Sequence, residues 1–332
     1  MKINCIVALA ALACASPALD AHAENCSLGL MASLDMTDLS DGRFAVPVSI
    51  NGSAHLLMVD TAGIFTKISE NAAGKDGLKA VQTAMELYGV GGKEHIFAAD
   101  VASFKMGNVE AKHFHIAVLK TEPEDDKSGG KTTIDGLLAS DFLDQFDVEL
   151  DFAKKKMNLF SQDHCPGKVV YWTQGGYADI SFHYTNGAIS AVRHINFDMT
   201  LDDHQVSTDL DTGSASSWLR SKAAYRTFGL DEHSPGVGPS PYSDAKFPVL
   251  RKQFGTLQLG GLAVQNPQID IIADRTEDAF KQAHSEKSRD DPVYGAAFQM
   301  EDFTLGMNVI RKLHLYIAYK EHKVYVTDAG AH

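Results

Sequence analysis

Two aspartates in this sequence could carry acid–base chemistry, because each follows an apolar stretch and opens a turn of small residues. Asp60 opens an Asp-Thr-Ala-Gly segment, and Asp211 opens an Asp-Thr-Gly-Ser segment. Two carboxyl groups held about 3 Å apart cannot both ionise, so they share one proton. One carboxyl can then accept a proton while the other donates one. The pair is chemically useful only if the fold brings these two distant segments together.

Both segments belong to an internal repeat, which indicates that two similar units could position them. Four blocks recur in the same order: a hairpin that ends at Asp-Thr, a short helix, a strand–turn–strand unit and an apolar closing strand. The paired blocks are 56–63 with 206–213, 69–77 with 221–229, 104–118 with 257–271, and 137–143 with 304–310. In the helix blocks, Ser69 and Ser221 are predicted N-caps. Alternating strands dominate each half, so each half is predicted to be a mostly β lobe.

The repeat also sets the predicted organisation of the chain. Residues 1–23 are predicted to be a signal peptide, and residues 24–43 an N-terminal extension. Lobe 1 covers residues 44–160, and lobe 2 covers residues 177–328. The stretch between them, residues 161–176, contains a Cys-Pro-Gly turn and a Gly-Gly pair, which predict a linker.

These motifs together resemble the retroviral-type and pepsin-type aspartic peptidases. The most specific part is the Asp-Thr-Gly-Ser segment at 211–214, followed in the right order by Leu-Gly-Met-Asn at 305–308. The resemblance extends over nearly all of residues 44–328, once per lobe, and is similar to exported bacterial retropepsin-like proteins with two tandem lobes. It implies an all-β, bilobal fold of two β-barrel-like lobes with short helices. The implied activity is peptide-bond hydrolysis by a water activated between Asp60 and Asp211.

The resemblance also implies roles for the residues that follow each aspartate. Thr61 and Thr212 would hydrogen-bond across the lobe interface and lock the two turns together. Gly213 and Ser214 complete the turn of lobe 2. A glycine after the threonine lets the substrate backbone approach closely, since it has no Cβ.

A hairpin flap over the cleft is a further implication of the resemblance. In lobe 1 the candidate is a glycine-rich tip between apolar strands, with a tyrosine that would face the substrate. Its residues are Tyr88, Gly89, Gly91 and Gly92. The alternative is an ordinary hairpin turn, because glycine-rich turns are common.

Lobe 1 departs from the family pattern at two positions. Ala62 stands where Gly213 stands in lobe 2, and Ala139 stands where lobe 2 has Gly306. Both positions pack near the catalytic aspartate in the family, and added methyl groups in tight packing are destabilising. The expected compensation is a wider turn in which Gly63 takes over the flexible role.

These departures leave other interpretations open. The protein could be a catalytically degenerate peptide-binding protein of the same fold, in which Asp60 only caps backbone amides. Lobe 2 could instead supply its aspartate to an intermolecular dimer. A carboxylate pair within hydrogen-bonding distance in one chain would favour a single intramolecular site.

Export is predicted from the N-terminus and from the cysteines. Lys2 precedes a short apolar stretch, and Ala-His-Ala at 21–23 is a signal-peptidase type of site. The alternatives are lipoprotein anchoring at Cys14 and an N-terminal core helix. Cys26 and Cys165 would remain after cleavage, as a disulfide in an oxidising periplasmic or extracellular compartment or as two free thiols.

Composition limits the partners. The chain has 332 residues, 44% of them hydrophobic, and a formal charge of −13, which argues against nucleic acid. Beyond the N-terminus no stretch approaches the 18 or so apolar residues of a membrane span. His113 and His115 share a strand face and could chelate zinc, but no third ligand has a recognisable spacing. The expectation is a monomer without cofactor or metal, with a peptide or protein as its substrate.

Overall fold

The computed structural model describes residues 26–89, 92–120, 133–184, 193–243, 248–274 and 301–330. The predicted signal peptide, the alternative anchor Cys14 and the flap residue Gly91 lie outside these ranges. The fold is all-β and bilobal with a few short helices, as predicted.

The first half of the described chain forms eleven strands and two short helices. They are β1 (Leu30–Asp35), β2 (Thr37–Asp38), β3 (Phe44–Ile50), β4 (Ser53–Asp60), β5 (Lys67–Ser69), α1 (Glu70–Lys75), β6 (Val81–Gly89), β7 (Gly92–Met106), β8 (Val109–Leu119), β9 (Gly136–Ala139), α2 (Ser140–Leu143), β10 (Asp147–Asp151) and β11 (Lys156–Phe160). Eight of these strands form the sheet of lobe 1, in the order β2-β3-β4-β9-β5-β8-β7-β6. Strands β1 and β2 lie within the segment that the sequence assigned to an N-terminal extension.

The second half repeats this plan. Its described elements are β12 (Ala178–Ser181), β13 (His183–Tyr184), β14 (Ile195–Leu201), β15 (His204–Leu210), β16 (Trp218–Arg220), α3 (Ser221–Phe228), β17 (Val237–Pro239), β18 (Leu250–Gln253), β19 (Thr256–Leu259), β20 (Leu262–Gln265), β21 (Gln268–Ile272), β22 (Phe303–Leu305), α4 (Met307–Ile310), β23 (Leu313–Ala318) and β24 (Lys323–Asp328). The sheet of lobe 2 has the order β17-β18-β21-β16-β22-β15-β14-β19-β20, with β13 paired to β14.

A third sheet joins the two lobes. Its six strands have the order β1-β11-β10-β23-β24-β12, so each half of the chain supplies three strands in mirrored order. The two halves meet where β10 pairs antiparallel with β23, with Leu150 opposite Leu315. Both leucines are buried. The interface between the lobes is therefore a continuous hydrogen-bonded ladder.

Corresponding strands of the two lobes bury the same positions. Strand β3 reads Phe-Ala-Val-Pro-Val-Ser-Ile and β14 reads Ile-Asn-Phe-Asp-Met-Thr-Leu, and their burial patterns are identical along all seven residues. Alternation places every second residue on the same face of a strand, so apolar residues at those positions pack into the core. The repeat in the sequence is thus a repeat in packing.

The predicted helix caps are right in lobe 1 and wrong in lobe 2. The Ser69 side chain caps α1 by accepting a hydrogen bond from the Ala72 amide. In α3 the N-cap is Arg220, and Ser221 is the first helical residue. The Ser221 hydroxyl instead donates to the carboxylate of Asp274. A carboxylate brought in from a distant strand end competes successfully for this hydroxyl.

The predicted disulfide between Cys26 and Cys165 is present and spans 139 residues of sequence. It fastens the segment before β1 to the stretch between the lobes. In that stretch Val169 and Trp172 are buried against the joining sheet, and the Trp172 ring stacks on His314. Among the described residues, no helix is both long and apolar enough to cross a membrane.

Candidate active site

Each Asp-Thr turn lies where two strands of a lobe run parallel. In lobe 1, β4 pairs with β9, and Asp60 lies opposite Ala139. In lobe 2, β15 pairs with β22, and the amide of Asp211 donates to the carbonyl of Leu305. Because the closing strands hold both aspartates at the end of a ladder, the position of each carboxyl group follows from backbone pairing.

Thr61 and Thr212 connect the two turns. The hydroxyl of Thr61 donates to the Leu210 carbonyl at 2.6 Å, and that of Thr212 donates to the Val59 carbonyl at 2.8 Å. Each hydroxyl also accepts the backbone amide of the other threonine at 3.1 Å. All four hydrogen bonds are buried, and each crosses from one lobe to the other. The two turns are therefore held at a defined separation.

Backbone amides within each turn hold the carboxylates. The Ala62 amide donates to Asp60 Oδ1 at 3.2 Å, and the Gly213 amide donates to Asp211 Oδ1 at 2.7 Å. The alanine at position 62 thus keeps the hydrogen bond that its glycine counterpart makes. Both aspartates are oriented in the same way.

The carboxyl groups of Asp60 and Asp211 lie close enough for each to act on the ionisation of the other. Burial raises the pKa of both groups. The neighbouring charges of Asp60 and Asp209 raise the pKa of Asp211 further, whereas His194 and Lys67 partly offset the effect of burial on Asp60. Both carboxyls therefore favour the protonated form more than an exposed aspartate does. This matches the chemistry of two carboxyls that cannot both ionise.

Gly213 is the point of closest approach between the two turns. A Cβ atom at this position would lie 2.6 Å from both Cγ and Oδ1 of Asp60. Asp60 therefore rests against the glycine of the other lobe, and only a residue without a side chain fits there. Position 62 does not require glycine, because the structure accommodates the methyl group of Ala62.

Ala139 is accommodated by Gly63. A Cβ atom on Gly63 would lie 3.0 Å from the Ala139 Cβ and 2.8 Å from Asp60 Oδ2. Lobe 2 has the reverse combination, Ser214 with Gly306. The expected flexible role of Gly63 stays a prediction, and its backbone is not in the left-handed conformation. Its contribution is space for the methyl group of Ala139.

The residues that support the turns were not singled out in the sequence. Asp141 accepts hydrogen bonds from the amide and hydroxyl of Thr66, as Asn308 does from Ser217. The hydroxyl of Thr66 accepts a hydrogen bond from the amide of Ala139, and the hydroxyl of Ser217 accepts one from the amide of Gly306. The signal was available: Thr66 and Ser217 each follow an active-site aspartate by six residues.

Ion pairs between the lobes were also missed. Arg311, at the end of α4, binds Asp38 at 2.9 Å and the Gly42 carbonyl at 2.9 Å. Asp144, at the end of α2, binds Arg193 at 3.0 Å. Arg311 and Asp144 occupy equivalent positions in the two lobes. Lobe 2 has the cation at this position and lobe 1 has the anion. Sequence reasoning could not find them, because the partners are distant in the chain and their pairing depends on how the lobes meet.

The flap candidate has a hairpin backbone. Strands β6 and β7 pair up to Gly89 opposite Gly92, and Tyr88 lies opposite Lys93. Gly91 lies outside the described residues, and the placement of the Tyr88 side chain is not part of the description. The corresponding segment of lobe 2 forms the short hairpin of β17 and β18.

Comparison with known protein families agrees with this geometry. Residues 46–142 match a family described as aspartyl protease. The match supports an aspartic peptidase family for this chain. It lies on lobe 1 and includes Asp60, Ala62 and Ala139, so the two alanines do not place that lobe outside the aspartyl proteases. In general terms the aspartyl protease match supports a peptidase, which is a hydrolase acting on peptides. None of the curated proteins compared with the chain matches it.

The predicted zinc alternative gains no support within the described ranges. There, no cluster of three or more histidine, cysteine, aspartate or glutamate side chains could hold a metal ion. His115 instead forms an exposed ion pair with Asp100.

Proposed function

We propose that the protein is an aspartic endopeptidase with a single intramolecular site formed by Asp60 and Asp211. The observation that carries the proposal is the close approach of the two carboxyl groups, one from each lobe: a Cβ atom on Gly213 would lie 2.6 Å from Asp60 Oδ1 and 3.0 Å from Asp211 Oδ1. A contact of this kind within one chain favours a single site over a dimer that shares aspartates. It also favours catalysis over a capping role for Asp60.

The two carboxyls take complementary roles in this proposal. Asp60 is the ionised member and accepts a proton from a water bound between the two groups. Asp211, whose pKa is raised well above its usual value, donates its proton to the carbonyl oxygen of the scissile peptide bond. Because the pair titrates as a unit, its apparent pKa values belong to both residues together.

The supporting residues fix this geometry. Thr61 and Thr212 hold the two turns together, and the amides of Ala62 and Gly213 orient the carboxylates. The substrate would lie extended between the lobes, under the β6–β7 hairpin with Tyr88, Gly89, Gly91 and Gly92 at or near its tip. An extended peptide can bind in this position because its backbone can pair with the edge of a neighbouring strand.

Peptide hydrolysis by the purified protein tests the proposal, with Asp60→Asn and Asp211→Asn as the decisive variants. Each substitution removes a carboxyl but keeps its shape, so we expect kcat/KM to fall by at least about 10³-fold. The matched control is Asp198→Asn, an exposed aspartate on β14 that makes the same change in net charge. Thermal melting shows whether each variant is folded.

Different outcomes separate the alternatives. Full activity in Asp60→Asn would remove lobe 1 from the chemistry. A protein that binds peptides but cleaves none would be the degenerate binding protein. Activity that depends on protein concentration, and that is restored by mixing the two inactive variants, would indicate a dimer that shares aspartates.

Export to an oxidising compartment is part of the same proposal. The disulfide between Cys26 and Cys165 supports it, since such bonds persist mainly outside the cytosol. Cell fractionation tests the localisation, and the mass of the exported protein tests cleavage after Ala23 against lipid attachment at Cys14. Full recovery in the cytosolic fraction would contradict export.

A further inference from the structure

A third carboxyl group lies beside the proposed catalytic pair and has no role in the mechanism above. Asp209 precedes Asp211 by two residues, and the strand ladder continues through Asp211, whose amide bonds to Leu305. Residues two apart in a strand point to the same face. Asp209 therefore lies on the face that carries Asp211, and its charge acts on the Asp211 carboxyl.

His194 accompanies Asp209. The distance from His194 Nδ1 to Asp209 Oδ2 is 3.9 Å, longer than a hydrogen bond. Asp209 Oδ1 and His194 Nε2 are both fully buried, yet neither has a hydrogen-bond partner among the described residues. A buried polar atom without a hydrogen-bond partner is destabilising. Two of them beside an active site indicate atoms that a ligand completes.

The side chains remain accessible to such a ligand. The Asp209 side chain is 16% exposed and that of His194 is 25% exposed. Each thus combines a buried, unpaired atom with a surface that a substrate can reach. The pair lies beside the carboxyls proposed to cleave the peptide, so a substrate side chain next to the scissile bond could contact it.

The charge of the surroundings decides what kind of side chain fits. The groups that act on Asp209 are His194, Glu301 and Asp60. Two of these are carboxyl groups, so a negatively charged substrate would be repelled. A cation beside Asp209 would instead offset the repulsion that Glu301 and Asp60 exert on it.

Lobe 1 does not repeat this arrangement. The register of β3 with β4 places Met58 where lobe 2 has Asp209, and Arg43 where lobe 2 has His194. Met58 is buried in an apolar cluster, and Arg43 is paired with Asp41. A cation-binding position is thus confined to the lobe 2 side of the dyad.

We propose that Asp209, which lies beside His194, forms a subsite that selects a lysine or arginine side chain next to the scissile bond. This inference rests on the proposed peptidase function and deepens it by naming a substrate class. The ionised carboxylate of Asp209 would pair with the cation, so selection for a cation should strengthen as this carboxylate ionises.

Paired synthetic peptides test this proposal. Cleavage sites are mapped first with a mixed peptide library, and peptides are then made with lysine or norleucine at each position flanking the bond. Norleucine keeps the lysine stem but lacks its charge. At one flanking position we expect the kcat/KM ratio of lysine to norleucine to be about tenfold in favour of lysine. In Asp209→Asn the ratio should fall to about one, whereas Asp198→Asn should keep the unmodified ratio.

Two further measurements keep the test decisive. Asp209→Met introduces the residue of lobe 1 and should reverse the preference towards norleucine. In the unmodified protein, burial raises the pKa of Asp209 to about 6, so the lysine preference should grow across that pH as the carboxylate ionises. The pH series needs no variant, so it remains valid if a substitution prevents folding.

The outcomes separate this inference from the proposed function. Cleavage with a ratio near one at every position and every pH would overturn the cation subsite while leaving the peptidase intact. If the unmodified protein cleaves no peptide, the proposed function fails. Binding of the same lysine and norleucine peptides, measured by fluorescence polarisation, then tests the subsite directly, and equal affinities would overturn it.

Discussion

The two lobes have the same backbone plan but differ in the residues that surround their aspartates. Lobe 2 places a glycine after its threonine and a second glycine in its closing strand, whereas lobe 1 has Ala62 and Ala139 at these positions. Lobe 2 also carries Asp209, where lobe 1 has the buried Met58. Symmetric strands thus hold a chemically asymmetric site. The repeated backbone of the two lobes fixes where the two carboxyl groups meet. The side chains of each lobe then set the charge and the space around its own carboxyl group.

The electrostatic surroundings of the two carboxyls reflect this asymmetry. Asp211 has a second acidic neighbour, Asp209, which raises its pKa, whereas His194 and Lys67 favour the ionised form of Asp60. If both lobes were chemically identical, the two carboxyls would have the same surroundings. Residues outside the Asp-Thr turns therefore act differently on the two groups.

The first prediction compares the residues that follow the two threonines. In Gly213→Ala the new methyl group would meet Asp60 at 2.6 Å, so Asp60 must shift. A displacement of about 1 Å in a catalytic group can lower the rate on the order of 10²-fold, and we expect a loss of that size in kcat. Ala62→Gly should change kcat far less, because the amide of residue 62 keeps its bond to Asp60. Equal losses in the two variants, measured with the same peptide, would show that the turns are equivalent.

The second prediction concerns the threonines themselves, where the lobes are symmetric. Thr61→Val and Thr212→Val each leave one carbonyl and one amide unpaired in the interface. At about 1–3 kcal/mol for each of the two buried groups, we expect a loss of about 2–6 kcal/mol in the free energy of unfolding. The measurement is urea denaturation.

A buried threonine outside the interface provides the control for this pair. The Thr208 hydroxyl bonds to Val206 within its own strand, so Thr208→Val should cost less than either interface variant. We expect similar losses in the free energy of unfolding for Thr61→Val and Thr212→Val. A difference between these two losses as large as the difference from Thr208→Val would show that the hydrogen bonds do not act as a symmetric pair.

The third prediction tests whether Gly63 compensates for Ala139. Gly63→Ala should cost about 1–3 kcal/mol by overpacking, because its Cβ would lie 3.0 Å from that of Ala139. Adding Ala139→Gly should restore part of this loss, since it removes the methyl group that the new Cβ would meet. A double-mutant cycle on unfolding free energy measures the coupling. Strict additivity would mean that the two positions do not share space.

The fourth prediction uses the pH dependence of stability at Asp209. The pKa of its carboxyl is raised from 3.8 to about 6 by burial, so the folded protein favours the protonated form. The associated stability is present below about pH 4 and is lost as the pH rises through about 6.

Asp209→Asn removes this loss, because asparagine stays neutral. Near pH 8 we expect the free energy of unfolding to rise by about 1 kcal/mol. The full pKa shift of Asp209 corresponds to roughly 3 kcal/mol, but the gain is smaller because asparagine still buries polar atoms. Near pH 4 the gain should vanish. Thermal melting at both pH values measures it, with Asp198→Asn as the control for net charge. A gain of equal size at both pH values would exclude titration of Asp209 as its cause.

Local sequence patterns predicted some features well and others poorly. The Ser69 cap depends on neighbouring residues only, and it occurs as expected. The Ser221 cap was wrong because Asp274, distant in the chain, accepts its hydroxyl. Asp209 was missed although the signal existed, since its two-residue spacing from Asp211 already predicts a shared strand face.

The sequence alone determined the duplicated plan, the strand content and the two Asp-Thr turns, because these follow from alternation, spacing and turn chemistry within short segments. Tertiary structure decided that the two carboxyls lie close together, that Asp60 rests against Gly213, and that Gly63 makes room for Ala139. It also decided which charged groups act on each carboxyl. These properties depend on burial and on charges only a few ångströms apart, and those distances arise when segments far apart in the chain are brought together by the joining sheet.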